Sequence, residues 1–348
     1  RSSGRSHRSS PANAGVMPVR TVSTMIAEIL AASGRKTGLF TSPHLLRINE
    51  RIVVDGQSIS DHDFETVLSS MAPVIKTMDE ISQEIRSASP TSPNPDCPIA
   101  KKHAPITAKT LTFFEILTAA AMLYFSNQKC DAVVLEVGLG GRLDSTNVCQ
   151  PATTVITNIS VDHTRQLGTS IDKIAFEKAG IIKPNVPVVS GATNPEAAQV
   201  IQKVSRQRNS PLFQLDQDFS IVNRAERRFS FQGKFAADGN CTIDDLRLTM
   251  LGQHQRTNAA LAIATVETLN QDDWEISADA IRAGLLNANL QGRSQVVGTT
   301  PTVILDVAHN VASITALTQT LSTELPQWKA AETKRLVFAV SKEKDNAG

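Results

Sequence analysis

Glu136, Arg142 and Asp144 fall within nine positions of one another in the run DAVVLEVGLGGRLDSTN, residues 131–147. The apolar stretch Ala132 to Val137 reads as a buried parallel strand, and Gly138, Gly140 and Gly141 let the backbone turn and approach a ligand closely. In open α/β sheets ligands sit outside the carboxyl ends of such strands. A carboxylate at the end of an apolar run is costly to bury unless something positive receives it, so Glu136 calls for a metal ion, another cation or an arginine. The alternative is a salt-bridged strand end with no ligand. VGLGG does not make a dinucleotide fingerprint, because a GxGxxG frame starting at Gly138 meets Leu143 where the third glycine belongs.

The elements that must hold these groups follow from periodicity. Val22, Met25, Ile26, Ile29 and Leu30 predict a helix over 21–33 with Gly34 as its stop. A short strand is expected at Thr37 to Thr41, a helix over 62–86, and a loop from Ser87, marked by five prolines in SASPTSPNPDCPIAKKHAPIT. Thr112 to Phe125 reads as a helix, capped by Thr112 or Thr110, with Glu115 in its first turn. Strands at Thr153 to Ile159 and Val186 to Ser190 flank a helix at Ile171 to Ala179. This alternation implies an α/β fold with a doubly wound, mostly parallel sheet. Residues 211–250 alternate like hairpins and predict a small antiparallel subsheet. Helices are expected near Thr257 to Leu269 and Ala278 to Leu286, and strands at Val303 to Val307 and Arg335 to Val340.

Composition narrows the class. The 348 residues carry 35 basic and 34 acidic side chains, a balance that argues against a nucleic-acid-binding face. No apolar stretch approaches the ~18 residues a membrane helix needs, so no membrane partner is expected. Cys97, Cys130, Cys149 and Cys241 show no CxxC spacing, which points away from zinc ribbons and disulfide frameworks and towards a reducing cytoplasm. Residues 1–27 hold four arginines and no acid, which fits an organellar presequence, a Ser/Arg/Pro tail or the ragged start of a fragment.

Five segments stand in order: TSPHLLRINERI, LTFFE, LEVGLGGRLDSTNV, ISVDHTRQLGTSIDKIAFEKAGIIKP and ILDVAHN. Together they resemble the folylpolyglutamate synthase and dihydrofolate synthase family of the Mur-ligase superfamily, over roughly residues 21–345. The resemblance implies a P-loop-NTPase-like central domain over 17–294, a partial Rossmann-like C-terminal domain over 295–348, and a tail at 1–16. It implies ATP-dependent ligation of L-glutamate to a pteroate or folate carboxylate through an acyl phosphate, with small-molecule substrates only and a monomeric chain.

Residue roles carry over from the same match. Ser42, Glu136 and His163 match positions that hold Mg²⁺. The two oxygens are hard donors of the kind magnesium prefers, and His163 adds a less usual nitrogen. Lys178, in FEKAGI, matches a lysine carbamylated in the family, which converts a repelled ammonium into an anionic oxygen ligand; Lys178 and His163 are therefore the catalytic candidates. Thr112, Phe113, Phe114 and Glu115, with Arg142, Leu143 and Asp144, match segments that recognise the pterin end. Asn258, Arg293 and Asp306 match positions that close on ATP. Each has a plainer reading: Ser42 before Pro43 could start a turn, His163 could cap a loop, Lys178 could be a solvated helical lysine, and Phe113 or Phe114 could face the core.

One motif departs from the pattern. Before the first helix the family carries a P-loop close to GTNGKGS, whose backbone N–H groups and lysine cradle phosphates. This chain reads NAGVMPVRTVSTM, with no lysine between residues 1 and 35 and with Pro18 removing an N–H. The expectation is a misread or truncated region at both ends, and little or no ligase activity for the chain as written. A non-catalytic relative or gene fragment that retains at most pteridine binding is the second reading, and a peptidoglycan Mur ligase a third.

Overall fold

A computed structural model describes residues 19–88, 110–160, 167–168, 170–224, 226–236, 239–271 and 274–339. The chain divides into two compact units: Arg35–Leu139 with Asp144–Val148, and Arg1–Gly34 with Gly140–Leu143 and Cys149–Gly348.

In the smaller unit, β1 (Thr37–Phe40) pairs in parallel with β4 (Ala132–Leu135) and antiparallel with β2 (Ile52–Val54); β3 (Gln57–Ser58) forms the other edge. Helices α2 (Asp61–Ala88) and α3 (Phe113–Asn127) lie between β3 and β4 in the chain. On α3, Leu117, Ala120, Ala121, Tyr124 and Phe125 recur at helical spacing and are all buried, packing with Phe40, Ile52 and Ile59. Each large apolar side chain buried there contributes about 1.5–3 kcal/mol. The Pro-rich loop read from Ser87 lies, from residue 89 to 109, outside the described residues.

In the larger unit, β5 (Thr154–Ile156), β6 (Val188–Ser190) and β7 (Leu212–Gln214) form a parallel sheet. Helices α4 (Ile171–Ala179) and α5 (Pro195–Gln207) connect these strands in turn. Ile156, Ile174, Ala175, Ala179, Val188 and Ile201 form the shared core. Strands β8 (Phe219–Asn223), β9 (Phe229–Ala236) and β10 (Gly239–Leu246) make the antiparallel subsheet, on which Phe219, Phe231 and Phe235 cluster with ring centroids 6.0–6.2 Å apart. Helix α6 (Gln253–Asn270) is buried along most of its length, and α1 (Val19–Ala32) packs against it and against α7 (Ala278–Asn287). Gly284 on α7 permits that approach, since a Cβ there would lie 2.4 Å from the Ile29 backbone. The hairpin β11 (Gln295–Thr299) and β12 (Thr302–Leu305) precedes α8 (Val311–Glu324) and the short α9 (Pro326–Ala330).

The α/β architecture with open parallel and antiparallel sheets agrees with the pattern read from the chain. Three details differ. The parallel strands are shared between two sheets, one in each unit. Helix α5, capped by Asn194 and opened by Pro195, has no counterpart in the periodicity reading. Residues 335–339 form no strand, and Leu336 and Val337 are 85% and 95% exposed. Among the described residues no neighbouring strand pairs with that segment, and an extended segment without a ladder keeps its backbone groups in water.

Candidate active site

The parallel register of β1 and β4 sets their carboxyl ends side by side. Glu136 N–H continues the ladder by donating to Phe40 O across 2.9 Å. One residue beyond the buried Thr41, Ser42 N–H donates to Glu136 Oε2 across 2.8 Å. Glu136 is 5% exposed. The acid read from the sequence as needing compensation thus receives the backbone N–H of Ser42, and the two adjoining residues are of hard-oxygen type, a carboxylate and a hydroxyl. Their chemistry fits Mg²⁺. Of the other two expected ligands, Lys178 lies on α4 in the larger unit and His163 lies outside the described residues.

Ser42 opens a loop that closes at Arg51, where Thr41 N–H donates to Arg51 O across 3.0 Å. The Glu50 carboxylate organises the loop from within, accepting the N–H groups of Leu45, Leu46 and Arg47, each at 2.8 Å. Arg51 Nε donates to His44 Nδ1 across 2.9 Å, and its guanidinium carbon lies 5.6 Å from the Phe113 ring centroid. Neither His44 nor Arg51 was singled out from the sequence, although both stand in TSPHLLRINERI; the motif shows residue types, not which side chains meet. On the same loop Arg47 pairs with Asp61 at 2.7 Å, and the hydrogen bonds from Arg47 and then Asn49 hold the Asp61 carboxyl below its usual range.

Thr112 caps α3, and the Glu115 carboxylate returns to accept Thr112 N–H and Oγ1–H, both at 2.7 Å. Glu115 therefore builds the helix start. The two phenylalanines part company: Phe114 packs on Phe40, with centroids 5.7 Å apart, whereas Phe113 is 58% exposed. Phe114 and Asp144 converge on Gly138. Asp144 ties the glycine turn by accepting Leu139 N–H at 2.9 Å on one oxygen and Thr146 N–H and Oγ1–H, at 3.0 and 2.6 Å, on the other. Thr112, Phe113, Phe114, Glu115 and Asp144 thus belong to one unit with Ser42 and Glu136.

Arg142 and Leu143 belong to the larger unit. Arg142 N–H donates to Glu177 O at 2.8 Å, and its guanidinium pairs with the Glu177 carboxylate at 3.0 Å. Only glycine at 141 lets the chain ride over α4 this closely, because a Cβ there would lie 2.9 Å from Glu177 O and 3.1 Å from Lys178 O. Arg142 is thereby fixed at the turn of helix that carries the half-buried Lys178, while Leu143 is 79% exposed.

The nucleotide candidates also lie in the larger unit. Asn258 is fully buried and donates from Nδ2 to Gln255 Oε1 at 2.8 Å. Among the described residues, Asn258 Oδ1, Gln255 Nε2 and Thr21 Oγ1 are buried without a hydrogen-bond partner. An orphaned buried amide or hydroxyl is costly, and such groups mark places where a polar ligand would satisfy them. Asp306 and the 292–294 segment are joined directly: Ser294 N–H donates to Asp306 Oδ2 at 2.7 Å and Val307 N–H to Gly292 O at 3.0 Å, placing Arg293 in the same neighbourhood. His254 feels both charges; burial first, and then Arg293, holds its ring below the usual histidine range, with Asp306 and Glu324 opposing. His254 is a further residue the sequence reading passed over, four positions before Asn258 in GQHQRTNAA. The segment that would hold a phosphate loop, up to residue 18, lies outside the described residues.

Comparison with known proteins supplies an independent finding. The Mur ligase middle domain matches residues 65–266. A dihydrofolate synthase/folylpolyglutamate synthase of Bacillus subtilis is 37% identical over 321 residues, covering 92% of this chain and 68% of the relative. A Mycobacterium tuberculosis folylpolyglutamate synthase complexed with ADP and AMPPCP superposes with a TM-score of 0.75 at 33% identity, over 89% of this chain and 65% of that one. Escherichia coli FolC in complex with DHPP and ADP gives a TM-score of 0.72 at 31% identity, over 90% and 64%. The chain spans about two thirds of the length of these relatives.

Proposed function

Because the chain belongs to the dihydrofolate synthase/folylpolyglutamate synthase family of Mur-type ligases, we propose that it is built for ATP-dependent ligation of L-glutamate to the carboxylate of dihydropteroate or a reduced folate. The observation that carries this reading is the buried Glu136 carboxylate, bound by the Ser42 N–H at the carboxyl ends of two parallel strands. Ser42 and Glu136, with His163 and a carbamylated Lys178, would hold Mg²⁺, whose charge offsets that of transferring phosphate. The orphaned amide atoms of Asn258 and Gln255 suit a nucleobase, and Arg293 and Asp306 lie on the segment that would close on ATP. The substrate carboxylate displaces ADP from the γ-phosphorus to give an acyl phosphate; the glutamate amine then attacks the acyl carbon, and phosphate leaves. By the family match, Thr112, Phe113, Phe114, Glu115 and Asp144 in the smaller unit recognise the pterin end, and the same match gives that role to Arg142 and Leu143 in the larger unit. The division into residues 17–294 and 295–348, a monomeric state and a cytoplasmic setting belong to the same proposal. Among the described residues no helix is long and apolar enough to cross a membrane.

A second reading is favoured by one observation, the stretch NAGVMPVRTVSTM, which lacks the lysine and most of the glycines of a phosphate cradle. On that reading the chain binds a pteridine acid without ligating it. The two are separated by measuring ADP release with ATP, Mg²⁺, glutamate and dihydropteroate, alongside dihydropteroate binding by fluorescence. We expect binding, with turnover well below the ~1 per second at the lower end for enzymes. Turnover at or above that figure refutes the expectation of little or no ligase activity, and absence of both binding and turnover refutes the family activity for this chain.

A further inference from the structure

Resting on the nucleobase reading of Gln255 and Asn258, we infer that Glu324, at the end of α8, is a positioning residue for the nucleotide. It fixes the start of α6 and with it the amide pair that meets the base, so that base binding and the seating of α8 on α6 reinforce one another. A continuous run of hydrogen bonds carries this. The Glu324 carboxylate accepts Gly252 N–H at 3.1 Å, the carbonyl of Gly252 accepts Gln255 N–H at 3.0 Å, and Gln255 Oε1 accepts Asn258 Nδ2–H at 2.8 Å. Gly252 stands at the N-cap of α6 and has no side chain to cap it, so the negative charge that meets the positive end of this helix comes from α8.

The grip on α6 is not a single contact. Arg256, the residue after Gln255, pairs with Glu324 at 3.2 Å, and both side chains are largely buried. Thr320, one turn earlier on α8, closes on Gly252 so tightly that a Cβ there would lie 2.6 Å from Thr320 Oγ1. At the other end of the run, the bond between the two amides uses one donor and one acceptor. It leaves Gln255 Nε2 and Asn258 Oδ1, both buried and without a hydrogen-bond partner. Exchanging O and N in both amides leaves the same complement, one donor and one acceptor. That complement matches the 6-amino edge of adenine, where an N–H donor adjoins a ring-nitrogen acceptor. A base bound there satisfies the orphaned groups in the arrangement that Glu324 holds, and by linkage the loss of Glu324 weakens the base by the same factor.

The test titrates the full chain with ADP and with purine riboside 5′-diphosphate, which lacks the 6-amino group. The parent is expected to prefer ADP about tenfold, the range for leaving a buried acceptor unpaired, and Glu324→Ala to bring that preference within about twofold. Glu324→Gln, which keeps an oxygen for Gly252 N–H, retains most of the preference. Circular dichroism checks the fold of both variants, and a second measurement needs no variant: in the parent, ADP should slow amide hydrogen exchange over 320–325 as well as over 252–258. An undiminished preference for ADP in folded Glu324→Ala overturns the inference, as does protection confined to 252–258; in either case the nucleobase reading stands. A parent that binds neither probe, or binds both equally, overturns the nucleobase reading and the inference with it.

Discussion

Glu136 shows how a single residue type can be read from the sequence while its partner cannot. The acid at the end of an apolar run was legible as a group needing compensation, but the Ser42 N–H that reaches it comes from 94 positions away. A Glu136→Gln variant keeps an oxygen that can accept this N–H. Its thermal midpoint without metal is therefore expected to change little, by the equivalent of about 1 kcal/mol or less. Its Mg²⁺-dependent rise in midpoint should vanish, because binding to the native state stabilises it in proportion to ln(1 + [L]/Kd). An unchanged Mg²⁺ response in the variant would remove Glu136 from the metal site. Phe113 and Phe114 teach the same lesson from the other side. Adjacent helical positions point about 100° apart, and the presence of Phe40 decides which of the two packs towards the core.

Among elements, those with strong periodicity and caps were legible: α1, α3 and α4 begin and end within a few residues of the expected bounds. Helix α5 escaped notice because its apolar face consists of small and β-branched residues among polar ones, although Asn194 and Pro195 are sound start signals. Helix α6 starts at Gln253, four residues before the expected Thr257, following Gly252 at φ +109°. The seam between α6 and β10 carries a pH-sensitive pair. Burial pushes the Cys241 thiol up to about 12, with the Glu267 charge adding to it, and burial also raises Glu267 above its ordinary value of 4.5 against the opposing hydrogen bonds of Cys241 and Asn270. A carboxyl raised by folding stabilises the protein fully below its unfolded value, and that contribution is lost as pH rises through the folded value. The melting temperature of the parent should therefore fall relative to Glu267→Gln as pH climbs from about 4.5 through the raised value. Parallel melting curves for the two proteins across that window would show that Glu267 is not the group involved.

At the scale of the molecule, Glu324 stands out within the larger unit. From the end of α8 its carboxylate accepts Gly252 N–H at the start of α6 (3.1 Å), pairs with Arg256 (3.2 Å) and lies 3.6 Å from Arg227 on the turn between β8 and β9. Its side chain is 10% exposed and that of Arg256 14%. Removing one partner of a buried pair leaves the other charge stranded, so Glu324→Ala should lower the unfolding free energy by about 3 kcal/mol in urea titration. A loss below about 1 kcal/mol would mean that the pair is screened as surface pairs are. One contact of this kind joins segments that the motif order kept apart: α8 follows ILDVAHN, and α6 contains GQHQRTNAA with Asn258.

What the sequence determined by itself was local and chemical: the alternation of strands and helices, the caps, the order of five motifs and the absence of a lysine before residue 36. These follow from periods of two and 3.6 residues and from residue types, which need no knowledge of distant partners. Tertiary structure alone decided the rest: that Ser42 meets Glu136, that Arg51 lies over Phe113 with His44 behind it, that Arg142 is held by Glu177, and that residues 335–339 stay unpaired. Each of these depends on strand register, on a loop neck or on the availability of a ladder partner. Such relations are made by packing segments remote in the chain, so no window of the sequence contains them.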